Sequence, residues 1–292
     1  MPGSSYHALS VQLAKWLQLL PEANINTNSA HANKMLSEIS LEENECLVSL
    51  DVESLFTNVP VIEAIGRASD MLYERAIDWA ESKQPPFNKE TFKALLMLAC
   101  TNTLFQAGDV FYRQTDGVAM GSPLGPLLAN IFVSQYDGEL ASHSKVYLRY
   151  VDDILRDMPV GGLDYLLPFA NTIHNKLKFT AELEDPEQGL AFLDMRLKVR
   201  DGRIHTSWYT KKTDTGVLLN YNACCPRVYK SGIVTGAVHR IFNATNSWAA
   251  FSDGINAVQQ MLRDNQYPVG MVRKLTNSAL SNILQPSSRI AQ

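Results

Sequence analysis

The chain has 292 residues, 46% of them hydrophobic and 19% charged. It can therefore bury a sizeable core, and its composition excludes a disordered tail. No run of about eighteen apolar residues is present, and the N-terminus lacks a charged-then-apolar signal, so an intracellular protein without a membrane span is expected. The net charge of −4 hides an asymmetry: residues 1–195 carry 13 Lys/Arg against 26 Asp/Glu, whereas residues 196–292 carry 13 against 4. Either a polyanion-facing half is joined to an acidic one, or the imbalance is chance and its lysines are merely solvated. Cys46, Cys100, Cys224 and Cys225 lack zinc-ligand spacing and are expected to be reduced and structural.

In chain order, residues 11–20 and 30–39 have helical apolar spacing. Residues 46–51 form a short apolar run that suits a buried strand ending on Asp51. After Thr57-Asn58-Val59-Pro60, residues 61–82 predict an amphipathic helix, broken by Gln84-Pro85-Pro86 and followed by a helix over 89–104. Gly108-Asp109 predicts a hairpin turn. A helix over 124–136 is entered through Gly121-Ser122-Pro123, and residues 146–155 read as two strands meeting at Asp152-Asp153. Residues 163–177 predict a helix and 179–183 a strand. Two strands, 190–198 and 204–209, flank Asp201-Gly202, and helices are expected over 232–244 and 254–264. Short strands in hairpins among helices imply an α+β fold.

Apolar residues on both sides place Asp152-Asp153 at a turn between strands rather than in a polar loop. Two carboxylates about 4 Å apart repel by about 4 kcal/mol at an effective dielectric near 20. A solvated turn relieves that repulsion; so does an arginine, a raised pKa or a metal. Asp51 also ends an apolar strand. If the two strand ends meet, three carboxylates form an all-oxygen site suited to Mg²⁺ or Mn²⁺, as two-metal phosphoryl transfer requires.

The motifs carry a resemblance. Asp51-Val52-Glu53-Ser54-Leu55-Phe56-Thr57-Asn58-Val59-Pro60 resembles the first palm motif of reverse transcriptases. The segment from Gly117-Val118-Ala119-Met120-Gly121-Ser122-Pro123 through Ala129-Asn130 resembles the second, and Tyr150-Val151-Asp152-Asp153 the third. Leu190-Ala191-Phe192-Leu193-Asp194 is similar to the later primer-grip region. The wording of the first two motifs is most similar to Penelope-like retroelements.

The resemblance implies a right-hand polymerase with an antiparallel-sheet palm, fingers and a helical thumb. Fingers and palm would occupy 1–204, with the palm about 41–62 and 107–204, and a thumb-like region 205–292. Asp51, Asp152 and Asp153, with the Val52 carbonyl, would hold Mg²⁺ (or Mn²⁺). Phe56 would lie under the incoming sugar and exclude a 2′-hydroxyl by collision. Gly121 and Ser122 would let template or nucleotide approach closely, and Lys176 or Lys178 would approach the triphosphate. Lys198, Arg200, Arg203, Lys211 and Lys212 would contact nucleic-acid phosphates.

The implied partners are an RNA template, a DNA primer duplex and dNTPs, with no membrane, and the implied compartment is the nucleus. The chain departs from the family pattern at Asp116, where many relatives carry Gln, in a longer second-motif loop, and at Tyr209-Thr210-Lys211-Lys212-Thr213. It leaves no room for the GIY-YIG nuclease of Penelope-like elements, so a polymerase portion, a truncated copy or a nuclease-less relative is expected. The rival readings are a group II intron or telomerase type of polymerase, and a retroelement-derived protein that binds nucleic acid without catalysis.

Overall fold

The computed structural model describes residues 6–24, 27–74, 84–101 and 103–285. By contacts it divides into two compact units, 1–27 with 50–182 and 28–49 with 183–292. In the second unit, α-helical and strand segments from residues 28–49 and 183–208 pack with the C-terminal helices.

The first unit begins with α1 (His7–Leu17) and a 3-10 turn (Pro21–Asn24); α2 (Ser29–Glu38) belongs to the second unit. The strand expected at 46–51 is β1 (Glu45–Val52), in which residues 47–50 are buried while Asp51 is exposed. A single turn, α3 (Leu55–Asn58), leads to α4 (Val61–Glu74), and the remainder of the helix expected to residue 82 lies outside the described residues. Helix α5 (Lys89–Thr101) stops before the expected 104, because Leu104 pairs in the hairpin β2 (Leu104–Ala107) and β3 (Val110–Arg113), which turns at Gly108-Asp109. Trp16, Tyr73, Phe87 and Phe92 form an aromatic cluster that joins α1, α4 and α5.

Helix α6 (Gly125–Val133) is almost wholly buried, and the short α7 (Asp137–Leu140) follows it. The hairpin β4 (Tyr147–Tyr150) and β5 (Asp153–Pro159) turns at Val151-Asp152. Helix α8 (Leu163–Ala170) ends well before the expected 177. The Asn171 amide donates to the Leu167 and Phe179 carbonyls, and its oxygen accepts from Phe179 N–H at 3.0 Å, which diverts the chain into β6 (Phe179–Leu183). The four-stranded sheet has the order β4-β5-β1-β6.

In the second unit, the strand expected over 190–198 is two strands, β7 (Leu190–Phe192) and β8 (Met195–Arg200). Leu193 takes a left-handed backbone, with φ 54°, and turns the chain. Strand β9 (Arg203–Trp208) pairs with β8 through Asp201-Gly202, both at positive φ, as the sequence predicts. Three helices follow: α9 (Arg227–Ala244), α10 (Trp248–Asp264) and α11 (Val269–Leu284), the last of which the periodicity does not predict. Their shared core is Val234, Val238, Ile241, Phe251, Val258, Leu262, Tyr267, Val272 and Ala279. Asn33 of α2 ties this unit together, donating to the Thr245 carbonyl at 2.9 Å and accepting from the Thr206 hydroxyl at 2.7 Å.

Candidate active site

Apolar β1 and the β4–β5 hairpin bring the first and third motifs side by side. Val52 N–H donates to the Asp152 carbonyl at 3.1 Å, and Glu53 N–H to the Lys178 carbonyl at 2.8 Å. Burial raises the Asp51 carboxyl above the ordinary carboxylate value, and the charges of Asp152 and then Glu53 push it further in the same direction. Asp51 and Asp152 are therefore close enough to repel. Among the described residues, however, no group of three or more His, Cys, Asp or Glu side chains is gathered to hold a metal ion. Asp153 heads β5 opposite Tyr150. The donor chemistry of the Asp51–Asp152 pair fits a hard divalent cation, since its ligands are oxygens and their mutual repulsion is what a cation relieves.

The turn that carries Asp152 is strained. Val151, a β-branched residue, has φ 56°, while Asp152 does not join it at positive φ. In this pattern a two-residue hairpin ordinarily places glycine at the first position. Arg149 holds it there. Its Nη1 donates to the Val151 carbonyl at 3.1 Å and to Asn130 Oδ1 at 3.0 Å, and Nε and Nη2 make a forked pair with Asp137, both at 2.8 Å. The Arg149 side chain is fully buried. Tyr147 also donates to Asp137, at 2.7 Å.

The second motif lies against the first. Gly117 has φ 76°, and a Cβ there would sit 2.6 Å from the Thr57 carbonyl oxygen and 2.7 Å from that of Phe56. Val118 N–H donates to the Phe56 carbonyl at 2.7 Å. Phe56 is half-buried, with its ring beside Gly125. Gly121, at φ 83°, is exposed, and the Ser122 hydroxyl accepts from Leu124 N–H at 3.3 Å. These two residues form a turn ahead of α6 rather than its first residues. Lys178 is exposed, whereas Lys176 pairs with Asp116 at 3.0 Å.

In the second unit, Arg196, Lys198, Arg200, Arg203 and His205 share one face of the β8–β9 ribbon, because Arg196 pairs with Ser207, Lys198 with His205 and Arg200 with Arg203. The opposite face carries buried Met195, Leu197, Ile204 and Thr206. Like charges directly opposed destabilise a ribbon unless a polyanion offsets them. Arg196 and His205 escaped the sequence reading, although two-residue alternation from Lys198 points to both. Arg196 stacks at 4.3 Å over Tyr209 and donates to the Gln188 carbonyl, and Lys198 donates to that of Glu187. Lys211 and Lys212 are exposed. Lys211 also lines a cleft of about 570 Å³ formed with Trp208, Tyr209, Gly232, Gly236 and Arg240.

The chain, with its mixed helices and antiparallel strands, has the right-hand polymerase fold. Residues 2–156 match the family described as reverse transcriptase (RNA-dependent DNA polymerase), and the chain belongs to that family. Residues 217–277, which span most of α9–α11, match the animal helix-turn-helix domain. Telomerase from Candida albicans, solved with a fragment of telomeric RNA, is 11% identical with a TM-score of 0.55, over 95% of this chain and 49% of that one. Apo telomerase from Candida tropicalis is 12% identical with a TM-score of 0.48, over 94% and 49%. The Sicinivirus 3Dpol RNA-dependent RNA polymerase is 13% identical with a TM-score of 0.46, over 88% and 54%. The chain thus spans about half the length of these proteins. No curated protein matches it. No helix among the described residues is long and apolar enough to cross a membrane.

Proposed function

We propose that the chain is an RNA-directed DNA polymerase of a Penelope-like retroelement, extending a primer 3′-hydroxyl with dNTPs on an RNA template. The observation that carries this reading is the joining of the three motifs in one unit: the end of β1 is bonded to the Asp152 turn, and Gly117 is pressed against Phe56. Asp51, Asp152 and Asp153, with the Val52 carbonyl, would hold Mg²⁺ or Mn²⁺. When bound, the ions would lower the cost of charge at the reacting phosphate and the leaving oxygen.

The chain's own groups do the positioning. Phe56 closes the space beside the sugar C2′, while Gly121 and Ser122 offer open backbone to the nucleotide. Lys178, on the segment bonded to Glu53, is the lysine that would meet the triphosphate. The hydroxyl attacks the α-phosphate and pyrophosphate leaves. Palm (about 41–62 and 107–204), fingers elements before and between those segments, and a thumb from 205 complete the reading. The basic ribbon with Lys211 and Lys212 grips duplex phosphates, and a chromosomal target would set the work in the nucleus.

Primer extension on a primed RNA template with Mg²⁺ tests this directly. Wild type should extend and Asp152→Asn should lose about 10²–10³-fold or more with its fold retained. Near-normal extension by the variant would remove the site assignment. Nucleic-acid binding without any extension by wild type would favour the non-catalytic reading.

A further inference from the structure

The Asp116 carboxylate is committed on three sides. Oδ1 accepts from Gly117 N–H at 2.9 Å and, more weakly, from Val61 N–H at 3.5 Å, and Oδ2 accepts from Lys176 Nζ at 3.0 Å. Val61 is the first residue of α4, so one side chain links the start of that helix, the second motif and the segment before β6. The next residue, Gly117, lies so close to the Phe56 and Thr57 carbonyls that no side chain fits, and Val118 N–H holds the Phe56 carbonyl at 2.7 Å. Displacement of residue 117 is therefore passed straight to the Phe56 backbone.

We propose that Asp116, braced by Lys176, is a positioning residue for sugar selection: it holds Gly117 against the Phe56 backbone and so fixes where the Phe56 ring meets the sugar of the incoming nucleotide. The proposal rests on the reading of Phe56 as the group that excludes the 2′-hydroxyl. Burial alone would raise the Asp116 carboxyl, but Lys176 and the two backbone N–H groups hold it below the usual carboxylate value, so it is charged whenever the enzyme works. A ring displaced by a fraction of an ångström leaves room for a hydroxyl, and misplacements of this order change rates many-fold.

The test compares kcat/KM for dNTP over rNTP on one primed template with wild type, Phe56→Val, Asp116→Ala, Asp116→Asn and Lys176→Ala. Phe56→Val should collapse the ratio. Asp116→Ala should lower it by about tenfold, mainly by improving rNTP use. Asp116→Asn keeps an acceptor for Gly117 N–H and should restore most of the ratio, while Lys176→Ala, which removes one surface bond, should shift it the same way as Asp116→Ala but less. A role confined to stability would lower both rates together and leave the ratio in place. If Phe56→Val collapses the ratio but Asp116→Ala and Lys176→Ala, folded by thermal melting, leave it unchanged, the positioning role is overturned alone. If Phe56→Val leaves it unchanged, the reading of Phe56 fails and the role of Asp116 falls with it. Should Asp116→Ala not fold, Lys176→Ala decides.

Discussion

At the scale of single residues, Asp51 links stability to pH and, in the proposed site, to a metal ion. Its carboxyl titrates above the ordinary value, because burial and then Asp152 disfavour its charge. The folded chain therefore binds that proton more tightly than the unfolded chain does. Stability falls as pH rises from the ordinary carboxylate value through the raised one, and the deficit persists above it. Asp51→Asn should accordingly be slightly more stable than wild type at pH 7 in chelator, by no more than about 1 kcal/mol because the side chain is largely exposed. It should also gain little from Mg²⁺ where wild type gains clearly. Urea unfolding with and without the ion checks both, and an equal gain by variant and wild type would place the ion elsewhere. The strand that ends beside Asp51 and the hairpin that turns at Asp152 were legible because apolar runs flank both. The Asp116–Lys176 pair was not, since its members lie sixty positions apart and only the folded chain joins them.

Among the elements, the β4–β5 hairpin depends on a buried ion pair. Replacing Arg149 by Met removes the forked pair from the Asp137 carboxylate, which keeps the Tyr147 hydroxyl, and takes the guanidinium bond from the Val151 carbonyl. Loss of one partner from such a pair should cost about 3 kcal/mol in urea unfolding, with extension falling as the turn loosens. A loss below about 1 kcal/mol would mean that water substitutes for the guanidinium. Hairpins with glycine turns, at 108–109 and 201–202, were readable from the sequence. The break at Leu193 was not, because a leucine at positive φ carries no turn signal and its neighbours continue an apolar run. Helix α8 was overextended for a similar reason: Asn171, not periodicity, ends it. Helix α11 went unseen because Gly, Ser, Thr and Asn interrupt its apolar spacing, and the packing of Val272 and Ala279 into the three-helix core makes it a helix.

Across the whole molecule, the sign change in charge along the chain bears on affinity. Binding to a primed template should weaken steeply with salt, each neutralised phosphate adding close to one unit to the slope of log K against log salt. Arg200→Glu with Arg203→Glu should flatten that slope by about two units. An unaltered slope would mean that the β8–β9 ribbon does not meet the phosphates. The net charge of −4 conceals this, because the acidic excess over residues 1–195 outweighs the basic excess after them.

The left-handed backbone of Val151 has a consequence for anyone who would select improved variants of this chain. Glycine at that position removes a conformational cost of about 1–3 kcal/mol, so a screen for heat resistance rewards it. The same change hands the two aspartates a hinge. Thermal selection and selection for synthesis would then pull this one codon in opposite directions.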